Sequence, residues 1–143
     1  MKIIIFALFI YFSISYDTTT AIQYARKYCS YYGRYDDVPD EAANYVSKCL
    51  IAGGMKLSGC NGVYSIGTIP NGANLMTCLT QKGWKHSIGI NKRFKPGYPF
   101  FSNNKHSMIA TYVDGKSLRY CAHDNNRCDQ KMNAPDNYFY YYL

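Results

Sequence analysis

His106 and His123 are the residues best suited to chemistry in this chain of 143 residues. An imidazole takes and returns a proton near neutral pH, and a second polar group can hold its ring in place. Asp114-Gly115 lies between two runs rich in strand formers, Ser107–Val113 and Lys116–Ala122. It reads as a two-residue hairpin turn. If Val113 then pairs with Lys116, counting outward sets His106 directly opposite His123. Directly opposed residues share a sheet face, with Cβ atoms about 4.5–5.5 Å apart. Two facing histidines make an odd core and a good base with its orienting partner. Asp124 and Asn125 rank second for the orienting role, because strict alternation turns Asp124 to the other face. His86 follows Trp84 in a polar stretch and reads as a surface residue. Ser47 and Ser107 carry hydroxyls, but neither starts a helix beside the histidines. Cys49 falls near a helix end and reads as core or disulfide. The chain has no C-x-x-C and no histidines close together in sequence, so no metal or other cofactor is expected.

The elements that must carry these residues follow from local signals. Thr18-Thr19-Thr20 offers an N-cap for a first helix, Ala21 to Tyr32, stopped by Gly33. Asp40 can cap a second, Glu41 to Ala52, and Gly53-Gly54 ends it. Residues 55–70 are irregular and Gly-rich, a loop pinned by Cys60. A third helix starts at Asn71 and ends at Gly83. Tyr98–Phe101, the 107–122 hairpin and Tyr138–Leu143 read as strands. Helices followed by antiparallel strands, with no linker or repeat, make one α+β domain.

Composition bounds the setting. Lys2, an apolar run from Ile3 to Phe12 and Ser13-Ile14-Ser15 read as a secretory signal peptide cleaved after Ser15, leaving a domain over residues 16–143. The run is too short to span a bilayer, which needs about 20 residues. An exported chain with six cysteines can form up to three disulfides. At least two are expected, with Cys121–Cys128 first among the pairs because AHDNNR between them is turn-prone. The formal charge of +7 favours anionic extracellular partners. No Lys/Arg run exceeds two residues, which argues against nucleic acid.

The segment EAANYVSKCLIAGG, Glu41 to Gly54, resembles the nucleophile helix of the amidase-domain family of papain-like cysteine hydrolases, relatives of NlpC/P60 and CHAP. Members carry a stretch like DCTNFVSQCL followed by AGG. Asn44, Tyr45, Val46, Ser47, Cys49 and Leu50 fit; Glu41 replaces the aspartate, and Ala42 stands where the nucleophilic cysteine belongs. FKPGYPFF followed by HSMIATYV resembles the family's KPGD and HTAIV segments, with Tyr98 in place of the aspartate. Cys121 to Asn125 resembles AHTND. The resemblance covers about Ala21 to Arg127. It implies a papain-like fold and amide hydrolysis through a thioester, with His106 as base and His123 orienting it. It also implies peptidoglycan or muropeptides as substrate. Residue 42 is in the first helical turn, where the dipole lowers a thiol pKa and free N–H groups can bind an oxyanion. The retained histidines favour a silencing Cys→Ala change in a secreted, monomeric cell-wall amidase. The alternative is a natural non-catalytic protein on the same fold, binding wall fragments outside the cell or in a secretory or phagocytic lumen.

Overall fold

The computed structural model describes residues 15–30 and 37–143. The expected signal peptide, apart from Ser15, and the expected end of the first helix at Tyr31-Tyr32 lie outside the described residues.

Three helices precede a six-stranded antiparallel sheet, the α+β order expected. Helix α1 spans Thr18–Tyr28, and its cap is Asp17, whose carboxylate accepts the Thr20 N–H at 3.1 Å, rather than one of the threonines. Helix α2 spans Glu41–Ala52, capped by Asp40, which accepts the Ala43 N–H at 3.1 Å. Helix α3 spans Gly72–Gln81, with Asn71 accepting the Asn74 N–H at 2.9 Å. The residues from Ala42 to Ser47 are all buried, because α2 packs between α1, α3 and the sheet. Among the described residues no helix is long and apolar enough to cross a membrane.

The strands are β1 (Lys85–Ile88), β2 (Pro99–Phe101), β3 (Ser107–Asp114), β4 (Ser117–Ala122), β5 (Arg127–Asn133) and β6 (Phe139–Tyr142), in the order β1-β6-β2-β3-β4-β5. The two edges, β1 and β5, carry no strand signal in the sequence. Both are polar and largely exposed. An edge strand needs a pairing backbone and no buried face, so apolar alternation does not mark it. Around Phe100 one layer of the core is aromatic: its ring stacks on Tyr140 at 5.6 Å and meets Phe94 and Tyr120 edge-on.

The β3–β4 hairpin departs from the expected register. Asp114 pairs with Ser117, so Gly115 and Lys116 form the turn. A bulge at Thr111 then shifts the ladder, and below it Ala110 pairs with Tyr120 and Ile109 with Cys121. Carried down three residues, this register puts His106 opposite Asp124 and not His123. The bulge is anchored from outside the hairpin. Thr111 donates its hydroxyl to Asp129 at 2.5 Å, and Arg26 of α1 reaches the Thr111 carbonyl at 3.5 Å. Arg26 also pairs with Asp129 at 3.2 Å.

Two disulfides close the fold, Cys29–Cys128 and Cys60–Cys78. The expected Cys121–Cys128 pair does not form. A second bulge lies where β4 meets β5, with Asp129 in the left-handed region at φ 46°. It frees Cys128 to reach Cys29 at the end of α1, while Cys121 stays buried and accepts the Asp129 N–H. Cys60–Cys78 ties the 55–70 loop to α3, as the position of Cys60 suggested.

Gly72 opens α3 directly against the carbonyl of Lys105, the residue before His106. A Cβ there would overlap that oxygen, and backbone cannot swing aside as a flexible side chain does. Gly72→Ala should lower Tm by roughly 3–10 °C, the effect of about 1–3 kcal/mol of overpacking. Thermal unfolding checks it; an unchanged Tm would mean that the contact relaxes freely.

Candidate active site

The site is a corner where the first turn of α2, the start of β3 and the end of β4 meet. Glu41 opens α2 beside Asp40, and its carboxylate is the hub of the corner. Oε1 lies 3.0 Å from Nδ1 of His123, and Oε2 accepts from the Asn44 amide at 3.2 Å. Asn44 in turn accepts from Thr68 at 2.6 Å. Ser47 exchanges two hydrogen bonds with the backbone of Ile69. The polar residues of α2 thus strap the 55–70 loop onto the helix, and the Ser47 hydroxyl is consumed in that task.

His123 is held on every side. Its Nε2 is 2.7 Å from the Tyr28 carbonyl, and its ring stacks on Tyr45 at 3.8 Å with planes 13° apart. The Tyr45 hydroxyl donates to the Ala25 carbonyl at 2.6 Å. A carbonyl and a carboxylate only accept, so both ring nitrogens face acceptors here. Both nitrogens of His123 are thus engaged by Glu41 and Tyr28, away from His106.

His106 is differently placed. Its Nε2 is 3.1 Å from Asp124 Oδ2, an ion-pair distance although off the line of a straight hydrogen bond. Nδ1 has no partner among the described residues. The backbone fixes the residue from both sides: the His106 N–H donates to Ser102 Oγ at 3.1 Å, and its carbonyl accepts the Ser102 N–H at 3.0 Å. The Asp124 Oδ1 is buried without a hydrogen bond, the nearest cation being Arg127 at 3.9 Å. Unsatisfied buried polar atoms are uncommon, and each calls for an explanation. Three are found among the described residues: His106 Nε2, Asp124 Oδ1 and the Ser107 hydroxyl. Asn125 stands at φ 55° in the turn that follows Asp124.

Ala42 follows Glu41 in the first turn of α2. It is 6% exposed yet lies outside the apolar core cluster that takes in Ala43 and Val46. The free thiols are elsewhere: Cys49 and Cys121 are buried, and burial pushes both upward from the usual thiol range. Neither is poised as a nucleophile. Among the described residues no cluster of His, Cys, Asp or Glu could hold a metal ion.

The role of Glu41 has no signal in its spacing. Only its position next to residue 42 in the family pattern hinted at one. Glu41→Ala should leave the His123 Nδ1 and the Asn44 amide without their acceptor. The expected cost is about 2–3 kcal/mol, as for a charged hydrogen bond lost in a partly buried site. Urea unfolding measures it; a loss below about 0.5 kcal/mol would make the Glu41–His123 contact a surface pair of little weight.

No curated protein and no solved structure matches this chain. The model of the Putative amidase domain matches residues 15–142, nearly the whole chain, and this protein belongs to that family.

Proposed function

We propose that this chain is the scaffold of a secreted cysteine amidase of papain-like, NlpC/P60-type architecture, with its acid–base pair in place and its nucleophile missing at position 42. The observation that carries the reading is the His106–Asp124 pair at the corner where α2 begins. Asp124, ranked second by sequence, takes the orienting role, because it faces His106 and His123 has no free nitrogen. His123 fastens the first turn of α2 to the end of β4. With a cysteine at 42, His106 would take the thiol proton and the thiolate would attack the amide carbon. The leaving amine would take that proton back, and water would then hydrolyse the thioester.

Peptidoglycan and its muropeptides are the proposed substrates, acted on by a monomer outside the producing cell. The basic charge supports an anionic polymer target. Export is supported by the two disulfides and by Tyr16. This first residue past the expected cleavage point donates its hydroxyl to the Gly97 carbonyl at 2.6 Å and packs on Trp84. The test is Ala42→Cys, assayed for release of fragments from purified bacterial walls.

A silencing replacement at position 42 alone would account for the intact His106–Asp124 pair. A second reading, a natural non-catalytic binder, draws on one observation. Glu41, Ala42 and Ala43 all depart from the family's Asp-Cys-Thr, and Ala43 is fully buried in the core. One silencing change would not alter three neighbouring residues. The natural residue at position 42 separates the two: cysteine supports the enzyme, alanine the binder.

A further inference from the structure

Helix α3 lies along the β1–β6 edge of the sheet and leaves a cleft of about 270 Å³ that reaches Lys105, the residue before His106. We propose that this cleft is a subsite for the acidic arm of the substrate, a short peptide segment with a free carboxylate close to the amide that is cut. The proposal rests on the amidase reading of the neighbouring corner.

The cleft has a floor of rings. His86 of β1 pairs directly with Tyr141 of β6, and their rings stack at 5.1 Å with planes 27° apart. Phe139 meets His86 edge-on at 6.1 Å. Met76 and Thr77 of α3 form the opposite wall, and Lys105 completes the lining. No carboxylate lines the cleft, so the Lys105 ammonium and the His86 imidazole face it without a resident anion. Lys105 has no ion-pair partner among the described residues. Elsewhere the chain does pair cations at hand, as with Arg26–Asp129 and Lys116–Asp136.

The Lys105 side chain is exposed, but its backbone is held in place. Its backbone sits at φ 63°, a region that non-glycine residues enter at a cost and that recurs at ligand clamps. Its N–H donates to the Ser102 carbonyl at 2.8 Å, and Gly72 packs against its carbonyl. The next residue is His106. The cleft therefore adjoins the chain segment that carries His106. The volume is below that of a whole ligand site of about 300–1,000 Å³, and suits one ring or one to two residues of a longer substrate. Aromatic faces favour a ring or an extended backbone laid flat, and the Lys105 ammonium favours a carboxylate at its end.

The test uses the full Ala42 chain, in which binding is measured without turnover. Calorimetric titration compares a muramyl peptide whose carboxylate beside the scissile amide is free with the same peptide bearing a carboxamide there. The free acid should bind about 5- to 10-fold more tightly, less so at high salt. Lys105→Asn keeps a side chain that tolerates the left-handed backbone, and should remove the preference. His86→Ala should weaken both peptides. Equal affinity for the two peptides, no binding of either, or a preference that survives Lys105→Asn would overturn the subsite. The parent reading fails separately. A chain that prefers the acid but stays inert as Ala42→Cys keeps the subsite and loses the amidase. One that cleaves both peptides equally as Ala42→Cys keeps the amidase and loses the subsite.

Discussion

Ala42→Cys is expected to convert an inert chain into one that releases fragments from purified peptidoglycan, at a rate roughly 10³-fold or more above the Ala42 chain. The size follows from how such sites fail: without the nucleophile, only binding and oxyanion contacts remain. The first turn of α2 supplies the helix dipole, and Asp40 already satisfies the Ala43 N–H. In the proposed mechanism the His106 imidazole is the base. In the Ala42→Cys background, His106→Ala should return activity almost to the starting level. Asp124→Ala should cost roughly 10²-fold in kcat while stability holds, since Asp124 is 39% exposed and acts through the ring it faces. His123→Asn should instead act on stability, because its ring is only 7% exposed and is bonded at both nitrogens. If His123→Asn removes kcat in a protein that stays folded and Asp124→Ala does not, the orienting roles are reversed. The new thiol should also react with iodoacetamide well before Cys49 and Cys121, which are buried and shifted upward. An introduced thiol of ordinary reactivity at position 42, in a protein that cuts nothing, would end the enzyme reading and leave the binder.

Loss of the Cys29–Cys128 bond should be the largest single blow to stability. The bridge spans 99 residues, and closing a loop of that length in the unfolded chain is worth about 4.7 kcal/mol in the chain-entropy account. Cys60–Cys78 spans 18 and should be worth about 3 kcal/mol. Against a typical total of about 5–15 kcal/mol, the double change Cys29→Ser, Cys128→Ser leaves the fold marginal. Denaturant unfolding of the two double variants tests the order, and equal losses would argue against loop length as the cause. The long bridge should matter for the site as well. It joins α1 to β5 next to the Arg26–Asp129–Thr111 anchor, and that anchor holds the bulge that sets the register of His106. The Cys29/Cys128 variant in the Ala42→Cys background should therefore lose activity below its unfolding midpoint, where the Cys60/Cys78 variant keeps it. Thiol titration of the denatured, unreduced Ala42 chain should count two free cysteines, Cys49 and Cys121.

Much of this protein is determined by short stretches read alone. Asp40 and Gly53-Gly54 bound α2 to the residue, because a cap and a stop act within one turn. Asn71 does the same for the start of α3. The apolar run at Ser107–Val113 marks β3, because strand formers and a buried face coincide there. The segments around Ala42, His106 and Asp124 carry the family pattern, since those residues are close together in sequence within each piece.

Which of these residues meet was decided only by tertiary structure. A strand pair has period two, so one residue of slip exchanges every side chain between faces. The turn is Gly115-Lys116 and not Asp114-Gly115, and the Thr111 bulge shifts the ladder once more. Together they bring Asp124 and not His123 to His106. The bulge is fixed by Arg26 and Asp129, 85 and 18 residues away along the chain, and no local signal reports on them. The cysteine pairing has the same origin: Cys121 and Cys128 are near in sequence, but a bulge and the approach of α1 give Cys128 to Cys29. The polar edge strands β1 and β5 form because a neighbour offers them a backbone to pair with, and a neighbour is a property of the fold.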